Sequence, residues 1–149
     1  MASFKGTYKY SVDNKGRINI PAKMRKQLSD DSKDHFVITR GLDKCLFLYP
    51  HDVWLKVEEK LQSLSEFNSD HRYLERQIYS IAEDVVLDVQ ARIIIPSELR
   101  EYAQIKNEVL IIGVSNRIEI WNPKVYEEYL NNRTSSYEDV AERVMTNLK

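Results

Sequence analysis

The chain has 149 residues and a mass of 17.6 kDa, enough for one ordinary domain or two very small ones. Its 22 Lys and Arg stand against 23 Asp and Glu, a formal charge of −1 that excludes a uniformly basic nucleic-acid binder but leaves room for a local basic patch. Apolar residues at 42% and charged residues at 30% exclude a disordered tail or a fibre.

In chain order, the first ten residues, Met1 to Tyr10, lack the apolar core of a secretory signal, and no apolar run anywhere is long enough to span a bilayer. A short strand is expected over Lys9–Val12, then a turn opening at Asp13, whose side chain can bond the turn's own backbone. A second strand covers Arg17–Ile20. Pro21 is expected at the first position of a short helix that turns Met24 and Leu28 inward. A hairpin follows, with Gly41–Lys44 as its turn. Cys45 reads as a small apolar residue within the strand after that turn; a lone cysteine permits neither an intramolecular disulfide nor a Cys-rich zinc site, and it fits a reducing, cytoplasmic setting. Pro50 opens a helix with Val53, Val57, Leu61 and Leu64 on one stripe, and a polar connection, Ser65–Asp70, leads to a second helix carrying Tyr73, Leu74, Ile78 and Ile81.

The layout then repeats. Val12–Arg25 aligns without a gap to Leu87–Arg100: Asp13 with Asp88, Arg17 with Arg92, Ile18 and Ile20 with Ile93 and Ile95, Pro21 with Pro96, and Arg25 with Arg100. A second block pairs Phe36–Gly41 and Leu46–Tyr49 with Leu110–Gly113 and Ile118–Trp121, matching Gly41 to Gly113 and making the intervening loop three residues shorter in the second copy. The second short helix turns Leu99 and Ala103 inward, and Val114–Asn116 is the second hairpin turn. Helices with Val125, Tyr126, Tyr129 and Leu130, and with Tyr137, Val140, Val144 and Leu148, close the chain. Their apolar stripes read as core or subunit packing. The expected division is 5–52 for the first repeat, 53–82 for connecting helices, 83–126 for the second repeat and 127–149 for a C-terminal helical segment. A unit of about 45 residues buries too little surface to stand alone, so the copies should form one intertwined body with pseudo-twofold symmetry.

Charge distinguishes the copies. Residues 9–28 hold six cations, Lys9, Lys15, Arg17, Lys23, Arg25 and Lys26, against Asp13 alone, a local charge of +5. The matching window, 84–103, holds Arg92 and Arg100 against Asp84, Asp88, Glu98 and Glu101, a charge of −2. On this pattern the first copy faces DNA, with Lys15 and Arg17 projecting from a sheet tip toward phosphates or guanine edges. Asp13 and Arg17 recur as Asp88 and Arg92 in acidic surroundings, so turn support is the stronger account of Asp13, while contact and support both stand for Arg17. Lys15 faces Gln90 in the second copy, and no shared scaffold demand explains its charge.

Strand, Asp13-Asn-Lys-Gly-Arg17 turn, strand, proline and short helix, followed by Thr39-Arg-Gly-Leu-Asp43, Leu46-Phe-Leu-Tyr-Pro50 and a second copy ending in Arg117-Ile-Glu-Ile-Trp121, resemble the MraZ family over nearly the whole chain. The resemblance implies an α+β fold of two tandem swapped-hairpin AbrB-like β repeats with flanking helices. It also implies a nucleoid-associated, DNA-binding regulator of the division and cell-wall gene cluster, assembled as a ring-like homo-oligomer that reads repeated DNA boxes. The loop of the resemblance together with the basic window gives Lys9, Asp13, Lys15, Gly16, Arg17, Lys23 and Arg25 as the expected DNA-binding residues. In the second copy Ala91 stands where the family loop has glycine, so that turn either changes shape or carries mild strain, which weighs against a DNA-contact role for Asp88 and Arg92.

Two other classes compete. An enzyme is disfavoured, because His35, His51 and His71 are scattered, Glu58-Glu59 and Glu127-Glu128 lie on charged helix faces, and no phosphate loop or nucleophile motif occurs. No cofactor, metal, membrane or small-molecule partner is expected. A protein-interaction or antitoxin-like AbrB module is the alternative, in which the swapped-hairpin body holds a partner; the amphipathic Tyr137–Leu148 stretch would then be a partner helix or an oligomer contact.

Overall fold

The computed structural model describes residues 2–148; Met1 and Lys149, at the ends of segments read above, lie outside the described residues. The first copy runs β1 (Thr7–Ser11), β2 (Arg17–Asn19), α1 (Ala22–Arg25), β3 (His35–Arg40) and β4 (Leu46–Pro50). After α2 (His51–Gln62) and α3 (Ser69–Tyr79), the second copy runs β5 (Glu83–Val86), β6 (Arg92–Ile94), α4 (Ser97–Tyr102), β7 (Glu108–Val114) and β8 (Arg117–Trp121). The chain closes with α5 (Pro123–Asn131) and α6 (Tyr137–Asn147).

The copies exchange their opening strands. β1 pairs with β7 and β5 with β3, giving an antiparallel six-stranded sheet of order β1-β7-β8-β4-β3-β5, while β2 and β6 form a separate antiparallel ribbon. The pseudo-twofold axis runs through two cross-strand pairs, Ile18 with Ile93 in the ribbon and Phe47 with Glu119 in the sheet. Neither copy owns a complete sheet, so the expected intertwined body is the fold observed.

Strand alternation sorts the side chains into layers. Phe36, Ile38, Leu46, Leu48, Val109, Ile111, Ile118 and Ile120 face the ribbon, where Ile18, Ile20, Met24, Ile93, Ile95 and Leu99 complete the main core. The opposite face of the sheet carries Val37, Phe47 and Trp121, covered by Trp54 and Leu61 of α2 and by Tyr126 and Tyr129 of α5. Cys45 is fully buried there beside Phe47 and Trp121, and burial pushes its thiol up to about 12, which makes it a packing residue and a poor nucleophile.

Three sequence expectations shift. Pro21 and Pro96 stand just before their helices, with ψ of 139° and 145°, because each still belongs to the extended segment leaving the ribbon; Ala22 and Ser97 begin the helices. Ser69 and Asp70 belong to α3, whose N-terminus is capped by the Asn68 side chain accepting from the N–H groups of Asp70 and His71. The glycine match also fails. Ile38 pairs with Leu48 and Ile111 with Ile120, so Ile111 is the counterpart of Ile38, and Gly113 is the counterpart of Arg40. The two glycines serve different contacts: a Cβ at Gly113 would run into the backbone of Phe4 and Lys5, whereas one at Gly41 would meet Cys45 Sγ at 2.7 Å.

Candidate nucleic-acid interface

The ribbon ends in two turns of the same construction. In the first, the N–H groups of Lys15 and Arg17 donate to Oδ1 of Asp13 at 2.9 and 2.8 Å, Arg17 Nε donates to Oδ2 at 2.5 Å, and the Gly16 N–H donates to the Asp13 carbonyl at 3.0 Å. In the second, the N–H groups of Gln90 and Arg92 donate to Asp88 Oδ1 at 2.8 and 3.0 Å, Arg92 Nε donates to Oδ2 at 3.0 Å, and the Ala91 N–H donates to the Asp88 carbonyl at 3.0 Å. Turn support therefore accounts for both aspartates. Of each arginine's guanidinium nitrogens, Nε is the one that donates to its own turn's aspartate, and Lys15 is exposed beyond the brace.

Ala91 settles the open question about its turn. Its φ of 62° sits beside the 80° of Gly16, so the second turn keeps the shape and accepts the strain. Ala91→Gly should accordingly raise stability by about 0.5–1 kcal/mol, seen as a higher urea midpoint at unchanged slope. Gly16→Ala should lower it, because a φ of 80° is left-handed backbone that strains a residue with a Cβ, and the Arg100 guanidinium would have to move aside as well.

The hydrogen bonds of the first turn also fix its charge. The Arg17 N–H, opposed by partial desolvation and reinforced by the Arg17 side chain and the Lys15 N–H, holds the Asp13 carboxyl down at about 2. Asp88 is lowered as well: desolvation works against this, and the N–H groups of Arg92 and Gln90 with the Arg92 side chain overcome it. Because the folded-state value is depressed, the Asp13 brace is complete above the unfolded carboxylate value of ~3.9 and is lost only as pH falls through about 2. Carbon-detected NMR should show the Asp13 carboxyl titrating near 2, with the Arg17 amide shift moving in step.

The two turns lie side by side. The Ile95 N–H donates to the Gly16 carbonyl at 2.8 Å, the Ile20 N–H to the Ala91 carbonyl at 3.0 Å, and Asn19 Nδ2 to the Gln90 carbonyl at 3.2 Å, while Arg92 Nη1 comes within 3.7 Å of Asp13 Oδ2. Asp13, Lys15, Gly16 and Arg17 are thus brought together with Asp88 and Arg92 on one edge of the body. The charge contrast between the copies along the sequence does not separate them in space.

The remaining candidates lie off the turn. Lys9 is on β1 and pairs with Glu108 at 3.6 Å, both side chains more than half exposed, an ion pair of small energetic weight. Lys23 is exposed on α1, beside Lys5 and Lys26. Arg25 Nε donates to the Ile20 carbonyl at 3.1 Å, and Arg100 repeats the bond to Ile95 at 3.0 Å. Sequence reasoning missed Arg100 as a neighbour of the first turn: the strand exchange carries it from the acidic second copy to the backbone of Gly16. Its match to Arg25 in the repeat was a usable signal of shared structure, but the crossing could not be read without the pairing of β2 with β6.

A family model described as "MraZ protein, putative antitoxin-like" matches this chain twice, over residues 3–77 and 78–148. The chain belongs to the MraZ family. Similar MraZ relatives include those named Transcriptional regulator MraZ from Natranaerobius thermophilus, 45% identical over 142 residues covering 95% of this chain and 96% of that protein, and from Halothermothrix orenii, 49% identical over 138 residues covering 93% and 94%. The MraZ of Syntrophomonas wolfei is 46% identical over 142 residues, covering 95% of this chain and 96% of that protein. Each of the two MraZ matches takes in one β-repeat and the helices that follow it.

Proposed function

We propose that this MraZ-family chain is a DNA-binding transcriptional regulator whose β2–β6 ribbon and paired turns enter the major groove. The carrying observation is the outward face of the ribbon. Ile18 and Ile20, with Ile93 and Ile95, point into the core, so the alternate residues Arg17, Asn19, Arg92 and Ile94 point away from it, with Lys15 at the tip. A two-stranded antiparallel ribbon fits the major groove, and arginines aimed from it reach guanine edges and phosphates. The relatives' name, Transcriptional regulator MraZ, supports the same reading.

One ribbon offers few contacts, and affinity grows with the number of phosphates neutralised. Assembly into a ring-like homo-oligomer would present several ribbons to repeated boxes. Uncovered apolar side chains on two helices support assembly: Tyr73 and Leu74 on α3, and Tyr137, Val144 and Met145 on α6, helices that bury no residue in this chain. The antitoxin-like alternative would give α6 to a protein partner instead. The targets of this reading are the chain's own promoter and the division and cell-wall genes, met in the nucleoid. The test is a titration of DNA from upstream of its own gene over a salt series, with the assembled mass measured by light scattering. Specific binding that weakens steeply with salt, by an assembly several subunits in mass, is expected; a monomeric mass or salt-independent binding would overturn the reading.

A further inference from the structure

We propose that the second repeat reads thymine methyl groups, so that the two halves of the ribbon recognise chemically different halves of one DNA box. This rests on the DNA-binding reading above.

The exposed positions of the ribbon and its turns come in twofold-related pairs, and two of these pairs break the symmetry in the same direction. Asn14, at the tip of the first turn, corresponds to Val89, and Asn19, on the outward face of β2, corresponds to Ile94 on β6. Both first-copy residues are amides able to donate and accept hydrogen bonds; both second-copy residues are β-branched aliphatics. Val89 is 105% exposed and Ile94 is 53% exposed, so neither contributes a filled core position in this chain. A β-branched residue is also a poor choice for a turn tip, where Asn, Asp and Gly are favoured. Core packing therefore accounts for neither residue, and turn chemistry does not account for Val89.

Their surroundings do account for it. Val89 follows Asp88, whose carboxylate is tied to the Gln90 and Arg92 backbone, and the Gln90 carbonyl is held by Asn19. Ile94 lies opposite Arg17 in the ribbon register. Val89 is thus held on a braced turn and Ile94 on the ribbon opposite Arg17, both on the surface that would meet DNA. In the major groove the apolar feature that marks a base is the C5-methyl of thymine. Gln90, in place of Lys15, has an amide suited to the adenine edge.

The experiment compares the full-length protein on its upstream promoter duplex with the same duplex carrying deoxyuridine for thymine, which removes only the methyl. Burying one methyl is worth about fourfold in affinity, so the wild-type protein should bind the uracil duplex roughly fourfold or more weakly. The variant V89N/I94N copies the first repeat's own residues onto exposed positions, where the fold already accepts them. It should bind both duplexes equally while keeping the wild-type dependence on salt. A wild-type protein indifferent to the methyl, or a variant that retains the preference, would overturn the proposal. Steep salt dependence without methyl preference would remove this inference alone, and absence of DNA binding altogether would remove the regulator reading with it.

Discussion

Replacing Lys15 and Arg17 together by Ala should lower affinity for the chain's own upstream DNA by at least about thirtyfold near physiological salt, taking one phosphate contact and one base or phosphate contact per engaged subunit at ~1–3 kcal/mol each. The salt slope should fall in step, by about one for each phosphate contact removed. Two features make the result interpretable. Lys15 is exposed and, among the described residues, its hydrogen bond is the one its backbone N–H donates to Asp13, which Ala retains. Arg17 does brace its turn through Nε, so a single change there mixes lost contact with lost order. Arg17→Lys keeps charge but cannot reproduce the guanidinium fork, and should lose sequence preference while retaining much of the nonspecific, salt-sensitive binding. Undiminished affinity in the double variant would remove the first turn from the interface.

The strand exchange changes what must be expected of the second turn. On the sequence, a window of charge −2 around Asp88 and Arg92 sets that copy apart from DNA. In the fold, Arg92 lies within 3.7 Å of Asp13, and Arg100 packs on Gly16, so any surface that meets Lys15 meets the second turn as well. Linear charge windows add up residues that swapping then deals to opposite turns. The repeat itself was legible, because Asp, Arg, two isoleucines and proline recur at fixed spacing and each serves local geometry: the Asx turn, the brace, the inward face and the exit from the ribbon. The pairing of β1 with β7 was not, since antiparallel partners far apart in sequence leave no spacing to read. Nor was the register of β7. Gly113 copies Gly41 in type, but it is required by the close passage of Phe4 and Lys5, a contact that exists only once the N-terminal segment lies across the second copy.

The same exchange makes a strong claim about stability. Ile18 and Ile93 face each other on the pseudo-twofold axis and are each 1% exposed, so a cavity opened at either lies under both turns and against the shared sheet. Ile18→Ala should cost about 2–5 kcal/mol, by lost apolar burial and by a void that flanking strands cannot collapse into. For a chain of this length that lowers the thermal midpoint by several degrees or more. The two tryptophans distinguish a shared loss from a local one, because Trp54 sits on α2 over the first half of the sheet and Trp121 ends β8 in the second. In a Trp54→Phe background only Trp121 reports, and in a Trp121→Phe background only Trp54 does. If β1 and β5 are integral to the opposite copy, Ile18→Ala must shift both reported transitions by the same amount, since no half can keep its sheet when the other unfolds. A fall seen at one tryptophan alone would mean that the repeats fold separately, and the paired turns would then lose the rigid common frame on which their joint approach to DNA depends.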